Sequence, residues 1–240
     1  MKTFIICDKN NNISFTAAKK CQQSLIKTNS NVEIEFFQQT SPNTIEQDLE
    51  IFLQEIPLTQ LAYLKWNYPG NNESKIDLET GMRVPGYRAI DQSKVFACLV
   101  SHIRLWYKSV ELDQEIMILE HDAIFTRKFA QFNWKGGVLG LNDPRGATHT
   151  SMLYHQLVSR SKGIHDAPWV KPRLDIPQGL AGNSAYIIKP NFAQRLLNKL
   201  LEKGGWPNDA IMCKQFFQEE LKVVYPYYTT LQGIQSTTTL

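Results

Sequence analysis

The chain has 240 residues, with 26 Lys+Arg against 23 Asp+Glu and 42% hydrophobic residues. That length can bury a substantial core, and a charged fraction of 20% with 11% aromatics excludes wholesale disorder. A formal net charge of +3 lacks the basic excess of a dedicated nucleic-acid binder, and no apolar run approaches the ~20 residues of a membrane helix.

The first apolar run, Lys2 to Cys7, stops at Asp8 and the polar stretch Lys9 to Asn12. It reads as a buried strand followed by a loop, too short for a signal peptide. Phe15 to Lys27 has helical spacing, and Val32 to Phe37 alternates with Glu33 and Glu35 as a second strand. A strand–helix–strand opening predicts an α/β fold with parallel strands. Ser41 to Thr80 carries seven acids against two lysines and reads as a solvated face, helical over Ile45 to Leu53 and loop beyond.

Val95, Leu99, Ile103, Trp106 and Val110 form one apolar stripe, so Val95 to Val110 is a helix with Ser93 or Asp91 as its cap. Ile116 to Leu119 is a four-residue apolar run flanked by charge, the pattern of a strand buried on both faces. Gly137 to Leu141 is a further strand candidate. Asn142 to Gln178 holds five basic residues and three histidines and reads as one long loop, functional or mobile. Ala185 to Ile188 is a strand, and Pro190 opens a helix closed by Gly204-Gly205. A last helix is expected over Asp209 to Leu221, with an aromatic, then Thr-rich tail after it. No repeat or linker is visible, so the expectation is a single domain over 1–240.

The four cysteines, Cys7, Cys21, Cys98 and Cys213, have no CxxC or zinc spacing. Cys7 and Cys98 sit among apolar residues and read as buried thiols. A reduced, cytoplasmic chain is the simplest account.

The strongest chemical feature is Glu120-His121-Asp122 at the end of the buried strand. Ligands of open α/β sheets bind beyond the carboxyl ends of strands, and residues i and i+2 of a strand face the same way. Glu120 and Asp122 can therefore converge on one hard cation, Mg²⁺ or Mn²⁺. The plain alternative is a charged turn after a core strand.

Four segments in order carry a resemblance. They are Ala97-Cys98-Leu99-Val100-Ser101-His102 with Trp106, Ile118-Leu119-Glu120-His121-Asp122, Gly182-Asn183-Ser184-Ala185-Tyr186-Ile187-Ile188, and Pro207-Asn208-Asp209-Ala210-Ile211-Met212. Together they resemble glycosyltransferase family 25, which includes lipooligosaccharide and collagen galactosyltransferases. Two departures stand out: the family's helix Gly is Ala97, and the middle acid of its E-D-D is His121.

The resemblance implies a GT-A fold, a Rossmann-like α/β unit with a mixed, mainly parallel sheet. It implies transfer of a hexose, galactose or glucose, from a nucleoside-diphosphate sugar with inversion, to a glycan or glycoconjugate acceptor. Asp122 is the expected metal ligand with Glu120 assisting, and Asp209 the expected base, where the bland reading is a plain N-cap. Ser101, His102, Glu120 and His121 are expected at the donor site; for His102 the alternative is a hydrogen-bonded core histidine. Asp8 is placed at the nucleotide by fold analogy alone. Arg145, Lys171 and Arg173 either clamp a diphosphate or acidic acceptor or are ordinary loop charges. Two further readings stand beside this one: a transferase acting on a modified base in DNA, and a sugar-nucleotide or carbohydrate-binding module without catalysis.

Overall fold

The computed structural model describes residues 1–146, 150–170 and 174–234. The chain begins with β1 (Lys2–Cys7), α1 (Asn12–Lys27), β2 (Glu33–Gln38) and α2 (Ile45–Leu49). After 3₁₀ turns to Tyr63 come the hairpin β3 (Ser74–Ile76) and β4 (Arg83–Pro85), the long α3 (Gln92–Leu112), β5 (Ile116–Glu120), β6 (Ala123–Phe125) and β7 (Val138–Gly140). Then follow α4 (Ser151–Val158), β8 (Gly163–Asp166), β9 (Ala185–Ile188) and α5 (Pro190–Lys203). The last elements are α6 (Asn208–Ile211), α7 (Lys214–Phe217), β10 (Leu221–Tyr225) and β11 (Thr229–Leu231).

Seven strands make one sheet in the order β2-β1-β5-β9-β7-β10-β8. β1 pairs in parallel with β2 and β5, and β7 with β10. Only β9 and β8 run against their neighbours. The result is the mixed, mainly parallel α/β sheet that a GT-A fold calls for.

Side chains alternate between two cores, as the strand period of two requires. Phe4, Ile6, Ile116, Ile118, Tyr186 and Ile188 face the core shared with α3 and α5. Ile5, Cys7, Met117, Leu119, Ala185 and Ile187 face the core shared with α1. Both faces are covered, so β1, β5 and β9 are almost wholly apolar until they leave the sheet.

The helix signals act as expected. Asn11 accepts from Ile13 N and Ser14 N to cap α1, and Asp91 accepts from Ser93 N to cap α3. Gly204, with φ 78°, closes α5.

Four expectations need correction. The predicted helix over Asp209 to Leu221 is two short helices, α6 and α7. Cys213 between them is extended and bridges to Gly179, and Lys214 N donates to Gln178 O, so the backbone there bonds sideways rather than continuing a helix. The long loop contains α4 and β8, β10 begins at Leu221 where the helix was expected to end, and the tail from Tyr225 supplies β11. The acidic stretch is not all solvated face. Asp77 is 6% exposed and paired with Lys203 at 2.5 Å, and Asp48 pairs with Arg104 at 3.1 Å. Cys98 is only half-buried, unlike Cys7, Cys21 and Cys213. Among the described residues no helix is long and apolar enough to cross a membrane.

The Gly179 bridge matters for the site, because it props the turn that carries Asp209. A Cβ at Gly179 would lie 2.7 Å from Met212 O and 2.8 Å from Asp209 O, and backbone cannot give way as a flexible side chain can. Gly179→Ala should therefore cost about 1–3 kcal/mol, lowering Tm by roughly 2–10 °C in a thermal melt. An unchanged Tm would show that this close approach bears no strain.

Candidate active site

The carboxyl ends of β1, β2 and β5 and the entry to β9 meet at one edge of the sheet, and a cleft of about 590 Å³ opens there. β1 delivers Asp8, the segment after β2 delivers Gln39 to Pro42, and β5 delivers Glu120, His121 and Asp122. α3 lays Lys94, Cys98, Ser101 and His102 along one wall, and Asn208 and Asp209 close the far side. Thus Asp8, Ser101, His102, Glu120, His121, Asp122 and Asp209, all singled out from sequence, line a single cavity.

Glu120 is the electrostatic centre. Its charge acts on Asp122, Asp209, Cys98, Tyr87, Tyr186 and His121. Burial, and after it the charge of Glu120, pushes the Asp122 carboxyl up to about 7. Asp209 is likewise raised by burial and by the charge of Glu120, against hydrogen bonds from the backbone N–H groups of Asp209 and Ala210. Burial lowers His121, which keeps its imidazole neutral near pH 7. Tyr87 is raised by the charge of Asp209 and then by burial, so its phenol stays protonated beside that acid.

Among the described residues, several buried polar atoms of this lining have no hydrogen-bond partner: Asp122 Oδ1, Asp209 Oδ1, His102 Nε2, Ser184 Oγ and both amide atoms of Asn183. A buried polar atom without a partner costs roughly 1–3 kcal/mol. Such a concentration in one cleft marks a surface complete only when something polar occupies it.

Other expected residues are already engaged. Ser101 Oγ donates to Ala97 O at 3.0 Å and accepts from Thr40 N at 2.8 Å, so it ties the segment after β2 to α3. Asp8 Oδ1 accepts from Asn10 N at 3.0 Å and Gln38 Nε2 at 3.2 Å. Arg145 is held by Asp143 through a bidentate pair, Nε donating to Oδ1 and Nη2 to Oδ2, and lies outside the cleft lining. Lys171 and Arg173 fall outside the described residues.

Sequence reasoning missed the C-terminal segment. Gln232 N donates to Asp122 O at 2.9 Å, and Gln232 Nε2 donates to His121 O at 3.0 Å and Ala17 O at 2.9 Å. With β11 paired to β6, this pins the Glu120–Asp122 turn, and Leu231 and Ile234 line the cleft. Nothing local in the tail signals this, because it depends on a contact across more than a hundred residues. Asn183, Ser184 and Tyr87 were also unassigned. For Asn183 and Ser184 the pointer was Gly182 at the start of their motif; Tyr87 had none.

A family model described as Glycosyltransferase family 25 (LPS biosynthesis protein) matches residues 8–136, more than half of the chain. The chain belongs to glycosyltransferase family 25. This enzyme is a glycosyltransferase, and the matched stretch carries Asp8, α3 and the Glu120–Asp122 turn. No curated protein matches it. Solved structures similar to it include galactosyltransferase LgtC in complex with donor and acceptor sugar analogs, at 10% identity over 98% of this chain and 87% of that one, TM-score 0.43. Mouse xyloside xylosyltransferase 1 in its apo form matches at 10% identity over 92% and 81%, TM-score 0.34. The apo WbbM bifunctional glycosyltransferase matches at 12% identity over 94% and 38%, TM-score 0.43.

Two donor sets in the family 25 cleft could hold a cation. Cys98, His102 and Glu120 bring ligand atoms within 4.8 Å of one another. Burial raises the Cys98 thiol well above its ordinary range, and a thiol binds metal only as thiolate. Glu120 and Asp122 offer hard carboxylate oxygens, and Asp122 Oδ1 is buried without a partner. This second set fits Mg²⁺ or Mn²⁺.

The Asp122 shift also predicts a pH dependence. Its folded-state value, about 7, lies above the ordinary 3.8, so the folded chain keeps a proton that the unfolded chain releases. Stability tied to that proton is present below 3.8 and lost as pH rises through about 7. In chelator, wild type should lose stability between about pH 4 and pH 7 that Asp122→Asn retains. Thermal melts should put the Asn variant several degrees higher at the upper pH and level with wild type at the lower. Parallel pH profiles would overturn the assignment.

Proposed function

We propose that this glycosyltransferase moves a hexose, galactose or glucose, from a UDP-linked donor to a hydroxyl of a glycoconjugate, with inversion at the anomeric carbon. The observation that carries this reading is the convergence of Asp8, Glu120, Asp122 and Asp209 on one cleft, with unpartnered oxygens on Asp122 and Asp209. The family description, LPS biosynthesis protein, supports a glycolipid-type acceptor.

Donor nucleotide lies toward Asp8 at the end of β1, and the diphosphate toward Glu120 and Asp122. These two carboxylates would hold Mn²⁺ or Mg²⁺, which when bound neutralises charge on the leaving diphosphate. Asn183 and Ser184, at the entry to β9, offer unused polar atoms for sugar hydroxyls. Tyr87, kept protonated beside Asp209, is a hydrogen-bond donor on the same side.

Asp209 serves as the base. The acceptor oxygen attacks the anomeric carbon from the face opposite the phosphate. The carbon–oxygen bond to phosphate breaks with its electron pair leaving on the diphosphate, and the acceptor proton passes to Asp209. Burial raises this carboxyl, which makes it a stronger base than an exposed aspartate. Arg145 is paired with Asp143 outside the cleft lining and is given no part in the step.

With Mn²⁺, the enzyme should release UDP slowly from UDP-galactose or UDP-glucose even without acceptor. Asp209→Asn should lower kcat with acceptor by about 10²–10⁴-fold while donor affinity holds. Asp122→Ala should abolish turnover. Failure to bind any sugar nucleotide, read by thermal shift and calorimetry, would refute the donor class. An acceptor panel of oligosaccharides and hydroxymethylated duplex DNA would separate a glycan acceptor from a base acceptor.

A further inference from the structure

A buried chain of side chains runs from α3 through β9 to the cleft. Trp106 Nε1 donates to Tyr186 OH at 2.9 Å, and Tyr186 OH lies 2.7 Å from His102 Nδ1. On its other side His102 Nε2 lies 3.5 Å from Glu120 Oε1. The His102 side chain is 0% exposed, and among the described residues Nε2 has no hydrogen-bond partner.

The donor inventory assigns the protons. An indole N–H can only donate, so Tyr186 OH accepts from Trp106. If His102 Nδ1 also donated to that oxygen, the phenol proton would be buried without an acceptor. The phenol therefore donates to Nδ1, which makes Nδ1 the unprotonated nitrogen and leaves the proton on Nε2. That N–H faces the Glu120 carboxylate. Tyr186 is raised well above its ordinary range by burial and keeps its proton.

We propose that His102 is a positioning residue for Glu120: Trp106 and Tyr186 hold it as the Nε2–H tautomer, and that N–H orients the Glu120 carboxylate toward Asp122. The arrangement also explains why a histidine can sit fully buried on an apolar helix face. The proposal rests on the reading of Glu120 and Asp122 as cation ligands. Its closest approach, Nε2 to Glu120 Oε1 at 3.5 Å, is longer than a normal hydrogen bond and brings the N–H face to face with that carboxylate.

The first test is ¹⁵N NMR of the imidazole-labelled enzyme. Nδ1 should read as unprotonated and Nε2 as N–H; the reverse tautomer overturns the proposal. The second is calorimetric titration with Mn²⁺. His102→Leu should weaken binding about 10–100-fold, the usual effect of losing a partner that orients a ligand. His102→Gln, whose amide nitrogen reaches near the Nε2 position, should recover part of it. In a Glu120→Gln background, His102→Leu should cost nothing further.

A purely structural histidine would weaken Mn²⁺ binding equally in both backgrounds, and that result overturns the proposal. If His102→Leu does not fold, Tyr186→Phe serves instead: it keeps the ring but removes the proton that fixes the tautomer. It should yield mixed tautomers and a smaller loss of Mn²⁺ affinity, and a single unchanged tautomer overturns the proposal. Wild type that binds Mn²⁺ while His102→Leu binds it equally well refutes the positioning role alone. Wild type that binds no Mn²⁺ refutes the cation reading of the site as well.

Discussion

β5 lies between β1 and β9, with the α3 core against Ile116 and Ile118 and the α1 core against Met117 and Leu119. Burial on both faces leaves this strand no place for a charge along its length, because an unpaired buried carboxylate is strongly disfavoured. Its first acids therefore appear where the sheet ends. The parallel register sets Ile6 opposite Glu120, so the polar residue after β1, Asp8, emerges at the same edge. Antiparallel β9 begins there too, which brings Asn183 and Ser184 to meet them. The cleft follows from the layering of the sheet.

Within that cleft, charge is held under strain. Glu120, Asp122 and Asp209 share a small volume with few protein donors to satisfy them, and desolvation raises both aspartates. A fold selected only for stability would pair or dilute these acids, as it does elsewhere: Asp77 is matched by Lys203 and Asp48 by Arg104. The contrast separates acids that hold the scaffold from acids reserved for a ligand. A divalent cation and a diphosphate would supply the charge and donors that the cleft lacks, and the same unmet demand makes Asp209 basic.

Much of the site was legible because its signals are local. An apolar run ending in Glu120-His121-Asp122 announces a buried strand with acids at its tip, and the stripe from Val95 to Val110 announces the helix that bears Ser101 and His102. Other roles were hidden. Ser101 reads as a donor-site hydroxyl but spends its bonds on Ala97 and Thr40, partners visible only once the segment after β2 is folded against α3. The helix expected after Asp209 is broken by sideways bonding to Gln178 and Gly179. Gln232 reaches the acidic turn from the far end of the chain.

By itself the sequence determined the α/β class, the two-sided burial of β1 and β5, and the identity of the acids at the strand ends. These depend on periodicity and on the cost of burying charge, both written into short stretches of residues. Only the tertiary structure decided which of those polar groups remain free. Partnering is a property of distance across the fold. Tyr186 and Trp106 fix the tautomer of His102, Asp143 pairs with Arg145, and Asp122 and Asp209 are left with oxygens that no other described residue satisfies.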